Sequence, residues 1–324
     1  MKLQSARRRI TGARALTCFV WVITVGTAHA QPYPNKPVRI VTTEPGSGND
    51  LVARLIVPWL SASLGQPVVV DNRGILAGEI VAKATPDAYT LLSYGSPLWL
   101  APFMRERVPY DPVKDFAPIT LAASSPNVLI VHPSLPVNSV RELIAAARAR
   151  PGELNYSSSS TGATPHLAAE LFKAMARVNI VRVPYKGSGA ALTALIGGQV
   201  HVMFPNAGAV TPYLKSGRLR ALAVTTSEPS ALVPGLPTLA ASGLPGYESV
   251  SPFGIFAPAG TPPALVHRLN QEIVGALRKP EVIERLFNTG TESVASSPEQ
   301  LAATIKSEMV KWGKVIRDAG IREE

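Results

Sequence analysis

Twice in this chain a short strand-like run gives way to a loop of Gly, Ser, Thr and Asn and then to the start of a helix. The first case is Val41-Thr42-Thr43-Glu44-Pro45-Gly46-Ser47-Gly48-Asn49-Asp50. The second is Tyr156-Ser157-Ser158-Ser159-Ser160-Thr161-Gly162-Ala163-Thr164-Pro165-His166. The residues around them keep the alternation going. Val38 to Thr42 is β-branched and predicts a strand. Asp50 to Leu64 carries Leu51, Leu55, Ile56 and Leu60 on one helical face, with Pro58 predicting a kink and Gly65 the end. Val68-Val69-Val70 predicts a buried strand, a second helix follows to Ala84, and Thr90 to Ser93 predicts the next strand. Strands that alternate with helices in this way specify an α/β architecture.

Later helices are marked by their caps. Ser139 with Glu142 predicts a capping box, on a helix ending near Pro151-Gly152. Thr261-Pro262 predicts a cap and a first-turn proline before a helix through Leu277. Ser297-Pro298-Glu299-Gln300 combines both signals and opens a last helix towards Ala319. Leu301, Ile305, Met309, Trp312 and Ile316 stripe one side of that helix, as a core-facing stripe does. Two apolar strands bracketed by prolines, Pro126 to Pro133 and Pro252 to Pro258, suit crossings between lobes. With crossings there, residues 129–252 form an inserted second lobe, and residues 31–128 with 253–324 form the first.

The N-terminus adds a compartment. Lys2, Arg7, Arg8, Arg9 and Arg14 precede the uncharged run Ala15 to Thr27, and Ala28-His29-Ala30 supplies small residues at a cleavage site. This order reads as a secretory signal peptide over residues 1–30, cut after Ala30. Its 13-residue apolar core is shorter than the roughly 20 residues a spanning helix needs. The single cysteine, Cys18, falls inside it, so the exported chain is stabilised by its core without disulfides. The whole chain has 32 Lys and Arg against 22 Asp and Glu; without the leader's five cations the balance is 27 to 22, or +5. That mild charge, with no basic run interleaved with aromatics, argues against nucleic acid and suits an anionic ligand.

The two loops show how an anion is held. A helix N-terminus leaves backbone N–H groups unpaired at the positive end of the dipole, and small residues let a ligand oxygen reach them. A plain cap explains either loop singly, and Asp50 fits an N-cap; two such loops in different lobes are more specific. Enzyme motifs are missing: there is no G-x-S-x-G elbow, no S-x-x-K and no P-loop, and Gly46 with Gly48 is not a dinucleotide fingerprint. His166 and Glu170 have a metal-like spacing, but a capped first turn with a surface carboxylate accounts for them more simply. The reading calls for no catalytic residue, cofactor or metal.

Longer strings then carry a resemblance. Tyr33-Pro34-Asn35-Lys36-Pro37-Val38-Arg39-Ile40, Pro45 to Asp50 and Ala53-Arg54 are followed by Leu64-Gly65-Gln66-Pro67-Val68-Val69-Val70-Asp71-Asn72-Arg73 and Pro109-Tyr110-Asp111-Pro112. His166-Leu167-Ala168-Ala169-Glu170-Leu171-Phe172, Val183-Pro184-Tyr185-Lys186-Gly187, Gly197-Gly198-Gln199-Val200, Leu219 to Thr225 and Pro258-Ala259-Gly260-Thr261-Pro262 continue it in order. Together they resemble the Bug/TctC family, extracytoplasmic solute receptors of tripartite tricarboxylate transporters. The resemblance implies a periplasmic-binding-protein fold, two α/β lobes joined by crossing strands around a ligand cleft. It implies a small carboxylate ligand, an inner-membrane permease as partner, a periplasmic location and a monomer. Carried over residue by residue, it points to Pro45, Gly46, Ser47 and Asp50 in the first lobe. In the second lobe it points to Ser158, Thr161, Gly162 and Thr164, with Asn206 and Ala207 bordering the cleft. Transport and ligand sensing remain alternatives at this point, as does an exported enzyme on the same fold.

The chain departs from the family pattern in four places. Arg73-Gly74 runs almost directly into Ile75, where the family has a longer Gly/Ala-rich loop. Ala88 stands in the Pro86-Asp87-Ala88-Tyr89 turn, where a glycine is usual. Pro205 occupies a frequent acidic position. Glu44 adds a charge beside the first loop; it either points away or meets an amino group of the ligand.

Overall fold

β-Branching makes Val38–Thr42 a strand, β1, and in the computed structural model it leads into α1 (Gly48–Leu64). Residues 33–159 and 161–323 are described; the expected leader lies outside them. The chain continues through β2 (Val68–Asn72), a 3-10 turn at Gly74–Leu76, α2 (Ala77–Ala82), β3 (Thr90–Gly95), α3 (Pro97–Met104) and β4 (Phe116–Pro126). Then come β5 (Val128–Val131), α4 (Val140–Ala149), β6 (Asn155–Ser158), α5 (Thr164–Ala176), β7 (Val181–Pro184) and α6 (Ser188–Ile196). Next are β8 (Val202–Met203), α7 (Ala207–Lys215), β9 (Arg220–Val224) and β10 (Val250–Pro258). The last elements are α8 (Pro263–Leu277), α9 (Pro280–Asn288), β11 (Glu292–Ser293) and α10 (Pro298–Asp318).

The strands form two sheets, ordered β11-β4-β10-β3-β1-β2 and β7-β6-β8-β5-β9. Each has a parallel heart, β2-β1-β3 in one and β7-β6-β8 in the other, with antiparallel strands completing it. This is the expected α/β, two-lobed class. The chain passes between the sheets at Asn127, where β4 ends and β5 begins. Asn127 is fully buried. Its amide donates to Thr225 Oγ1 at 2.9 Å, and its side-chain amide to the Phe204 carbonyl at 2.6 Å. The Thr225 hydroxyl lies 2.8 Å from the Asn127 carbonyl and 2.5 Å from that of Ser249, so the outgoing and returning chains are stitched where they cross. Of the two proline-bracketed stretches, Pro126 to Pro133 does straddle this crossing, whereas Pro252 to Pro258 lies inside β10, wholly within the first sheet.

Apolar packing is continuous from one sheet's helices to the other's. Trp99 of α3, Phe172 of α5, Tyr247 and Trp312 of α10 are almost wholly buried in one cluster. The expected α10 stripe faces this core, with Met309 partly buried at its edge. The Ser297 capping box forms in full. Ser139 caps α4, but Glu142 accepts from the Asn138 amide rather than from Ser139, so that box is only half closed.

Several local expectations need correction. The N-cap of α1 is Ser47, whose hydroxyl accepts from the Asp50 amide; Asp50 lies three residues into the helix. α8 starts at Pro263, because the Thr261 hydroxyl donates to the Pro258 carbonyl at 2.7 Å instead of capping. β2 is an edge strand, so Val69 is exposed rather than buried. Glu170 is a buried carboxylate, accepting from the Tyr156 hydroxyl at 2.5 Å and from Lys173 at 2.8 Å. Ala88 does adopt the left-handed backbone that its turn demands, at φ 65°. No helix among the described residues is long and apolar enough to cross a membrane.

Candidate functional site

The first loop is shaped from inside by Asp50. Its carboxylate is buried and accepts from the Gly46 amide at 2.8 Å, from Arg54 Nε at 2.9 Å and from Asn72 Nδ2 at 2.9 Å. Burial pushes this carboxyl up, but the bonds from Arg54, Asn72 and Gly46 and the Arg54 charge outweigh it, and the group is held below its ordinary value. Gly46 reaches back to Asp50 with φ 78°, a backbone shape that favours glycine. Gly48 is needed for a different reason: a Cβ there would stand 2.5 Å from the Phe253 ring. Asp50 therefore builds the loop. Its oxygens are spent on the chain, and the donors left at this loop are first-turn N–H groups of α1.

Gly46, Ser47, Gly48 and Asn49 line a cavity of about 720 Å³ between the two sheets. Five helix N-termini border it. Ser47, Gly48 and Asn49 belong to α1, Ser96 and Pro97 to α3, Ala163 and Thr164 to α5, Ser188 to α6 and Asn206 to α7. The first turns of helices leave backbone donors over, although Pro97 and Pro165 have none and the amides of Asp50, Trp99, His166 and Ala209 already bond Ser47 Oγ or an N-cap carbonyl, and the helix dipoles add positive potential. Leu51, Pro165, Ala209, Pro252 and Phe253 give the wall an apolar stretch. Asp50 and Arg54 are the titratable residues on the wall, and they are bonded to each other. Such a space can hold a small anion, or two anionic groups on an apolar spacer, by backbone donors and hydroxyls.

Of the residues expected from the sequence, Gly46, Ser47, Asp50, Thr164 and Asn206 line the cavity. Pro45, Ser158, Thr161, Gly162 and Ala207 are not on its wall. The second loop turns Ser158, Thr161 and the Gly162 amide inward. Ser158 Oγ and Thr161 Oγ1 accept from Arg182 at 2.8 Å and 3.2 Å, and the Gly162 amide donates to His166 Nδ1 at 3.1 Å. The loop presents Ser159, Ala163 and Thr164 to the cavity instead. His166 Nδ1 is thereby occupied, and Glu170 is held by Tyr156 and Lys173, so the metal-like spacing is spent on internal bonds. Asn206 caps α7 by position only, its side-chain amide donating to Ser251 Oγ at 3.0 Å.

Gly95-Ser96-Pro97 was not singled out from the sequence, although it repeats the same strand, small residues and helix start. Ser188 was also missed, as were Thr289 and Thr291, which reach the wall from a distant part of the chain and carry no local signal. Glu44 points away from the cavity: a Cβ on Gly74 would meet its Oε1 at 3.0 Å, so the carboxylate stands over the short loop after β2.

The sequence and the fold match known proteins. The family model described as "Tripartite tricarboxylate transporter family receptor" matches residues 52–321. Protein BugT of Bordetella pertussis is 36% identical over 313 residues, covering 94% of this chain and 96% of BugT. An R. palustris protein whose structure is described as "with adipate" is 40% identical with a TM-score of 0.77, covering 90% of this chain and 99% of that one. MatC from Rhodopseudomonas palustris, with bound malate, is 30% identical with a TM-score of 0.73, covering 88% of this chain and 100% of MatC.

Proposed function

Because this chain belongs to the tripartite tricarboxylate transporter family of receptors, we propose that it is an exported solute receptor that captures a small dicarboxylate in its cleft and leaves it chemically unchanged. The observation that carries this reading is the convergence of five helix N-termini on one cavity whose titratable residues are already paired with each other. A carboxylate meets unpaired N–H groups and hydroxyls there, and no free acid repels it. The relatives with adipate and with malate support the same ligand class.

In this reading the first-lobe contacts come from Gly46, Ser47 and the α1 amides, and the second-lobe contacts from Thr164, Asn206 and their neighbours. The first lobe is the chain up to Asn127 together with the chain from Val250 on, the second lobe is the chain between them, and the two turn about the Asn127 crossing. Ligand bridging both lobes favours the closed form, which an inner-membrane permease reads. The leader is cut after Ala30, and the receptor works in the periplasm as a monomer.

The test is a thermal-shift screen on protein unfolded and refolded to strip carried-over ligand, against mono-, di- and tricarboxylates, aromatic acids and acidic amino acids. A ligand at 100 times its Kd adds about 2.7 kcal/mol to stability. The reading expects a saturable rise with dicarboxylates and recovery of the compound intact. Turnover of the compound, or no shift with any carboxylate, contradicts it.

A further inference from the structure

We propose that Arg182 is a positioning residue for the second-lobe half of the cleft, fixing which groups of the loop after β6 an anion meets. This goes beyond the carboxylate-receptor reading and rests on it for the identity of the cleft. Arg182 lies on β7, the edge strand, opposite Tyr156 of β6. Its three guanidinium nitrogens each take a different group of the loop: Nε donates to Ser158 Oγ at 2.8 Å, Nη1 to Thr161 Oγ1 at 3.2 Å and Nη2 to the Ser159 carbonyl at 3.0 Å. A planar fork can hold three such acceptors in fixed relative directions, whereas a lysine ammonium is a single point charge on a flexible stem.

The Ser159 carbonyl is the decisive group. Ser159 is on the cavity wall, and a carbonyl oxygen turned into that space would repel a carboxylate. Arg182 holds the oxygen back and neutralises it. The Ser158 and Thr161 hydroxyls are likewise held behind the wall, and the Gly162 amide is tied to His166, so among the described loop residues Ser159, Ala163 and the α5 N-terminus meet the cleft. Among the described residues no carboxylate pairs with Arg182, so its charge adds to the positive end of the α5 dipole. His166 and Lys173 are the other basic groups on α5 near the loop; burial keeps His166 neutral, and Lys173 is paired with Glu170.

Two variants separate geometry from charge. Arg182→Lys keeps the charge and loses the fork; Arg182→Gln loses both. Hydrogen exchange of the ligand-free protein over residues 158–166 reads the loop directly, with β1 and β3 as internal controls. Titration with adipate reads the cleft. The proposal expects exchange in the loop to rise about tenfold in both variants with the controls unchanged, and adipate affinity to fall about tenfold or more in both. It is overturned if Arg182→Lys matches the wild type in exchange and affinity, since charge alone would then suffice, or if neither variant alters the loop. Should the wild type bind no carboxylate, the exchange result still decides the role of Arg182, and that failure counts against the ligand reading alone.

Discussion

His166 shows how one side chain ties the second loop to pH. It is buried, and its Nδ1 accepts from the Gly162 amide, which requires that nitrogen to be unprotonated. Burial first, then the charges of Arg182 and Lys173, push its pKa from 6.5 down to about 3. In the unfolded chain the ring takes up a proton near 6.5, so between these values the unfolded state holds the extra proton. The stabilising contribution is therefore complete above about pH 6.5 and is lost as pH falls towards 3, at about 1.4 kcal/mol per unit. His166→Gln keeps an acceptor and cannot titrate. Denaturant unfolding between pH 4 and 6.5 should show a shallower dependence on pH in this variant than in the wild type, and equal slopes would remove His166 as the cause. Some residue-scale features were legible in the sequence. Ala88 stands in a turn where glycine is usual, which pointed to a strained backbone, and it adopts positive φ. The inward turn of Ser158 and Thr161 was not legible, because Arg182 reaches them from a neighbouring strand rather than from a sequence neighbour.

Among the elements, α1 carries both the bonds that shape the first loop and part of the cavity wall. Ser47 caps it, Asp50 anchors its loop, and Arg54 and Asn72 hold Asp50. Ser47→Ala removes the capping oxygen and should cost about 1 kcal/mol in denaturant unfolding, together with a weaker dicarboxylate affinity from the loss of a hydroxyl on the wall. Asp50→Asn should cost more stability than Ser47→Ala, because it removes the charge that Arg54 and the Gly46 amide bond in a buried site. Equal melting temperatures for Asp50→Asn and wild type would contradict the anchoring role. Caps were among the more legible parts of the fold, since a cap is a local bond: the Ser139 and Ser297 hydroxyls both cap as their sequences predict, although only the Ser297 box closes in full. Burial of β2 was not legible. Whether Val69 is covered depends on which strand ends the sheet, and three consecutive valines read the same in the centre and at the edge.

At the scale of the whole molecule, the two lobes meet closely where α7 approaches the segment before β11. A Cβ on Gly208 would stand 2.1 Å from the Thr289 carbonyl, and one on Gly290 would stand 2.1 Å from the Gly208 nitrogen. Ser125 donates to the Gly290 carbonyl at 2.7 Å, and Thr289 and Thr291 line the cavity beside this contact. Gly208→Ala should therefore wedge α7 away from this segment and weaken dicarboxylate binding while leaving hydrogen exchange in the parallel strands unchanged; unaltered affinity would mean that the contact does not set the cleft. The two-lobed class was legible from the strand, loop and helix alternation and from the family strings. The cleft was half legible: loops that begin helices announce themselves, whereas walls assembled from Thr289, Thr291 and Phe253 depend on how distant chain segments come together. The central claim is that helix N-termini hold an anion in this cavity, and Ala163→Asp tests it most directly. Ala163 is the N-cap of α5, has no capping side chain and lies on the wall. An aspartate there supplies the missing cap and at the same time puts a carboxylate where the ligand's belongs. Melting temperature and dicarboxylate affinity should be measured on the same preparation. The account predicts a ligand-free protein more stable by about 1 kcal/mol, with affinity lower by about tenfold or more. A variant that binds the dicarboxylate as tightly as the wild type would contradict it.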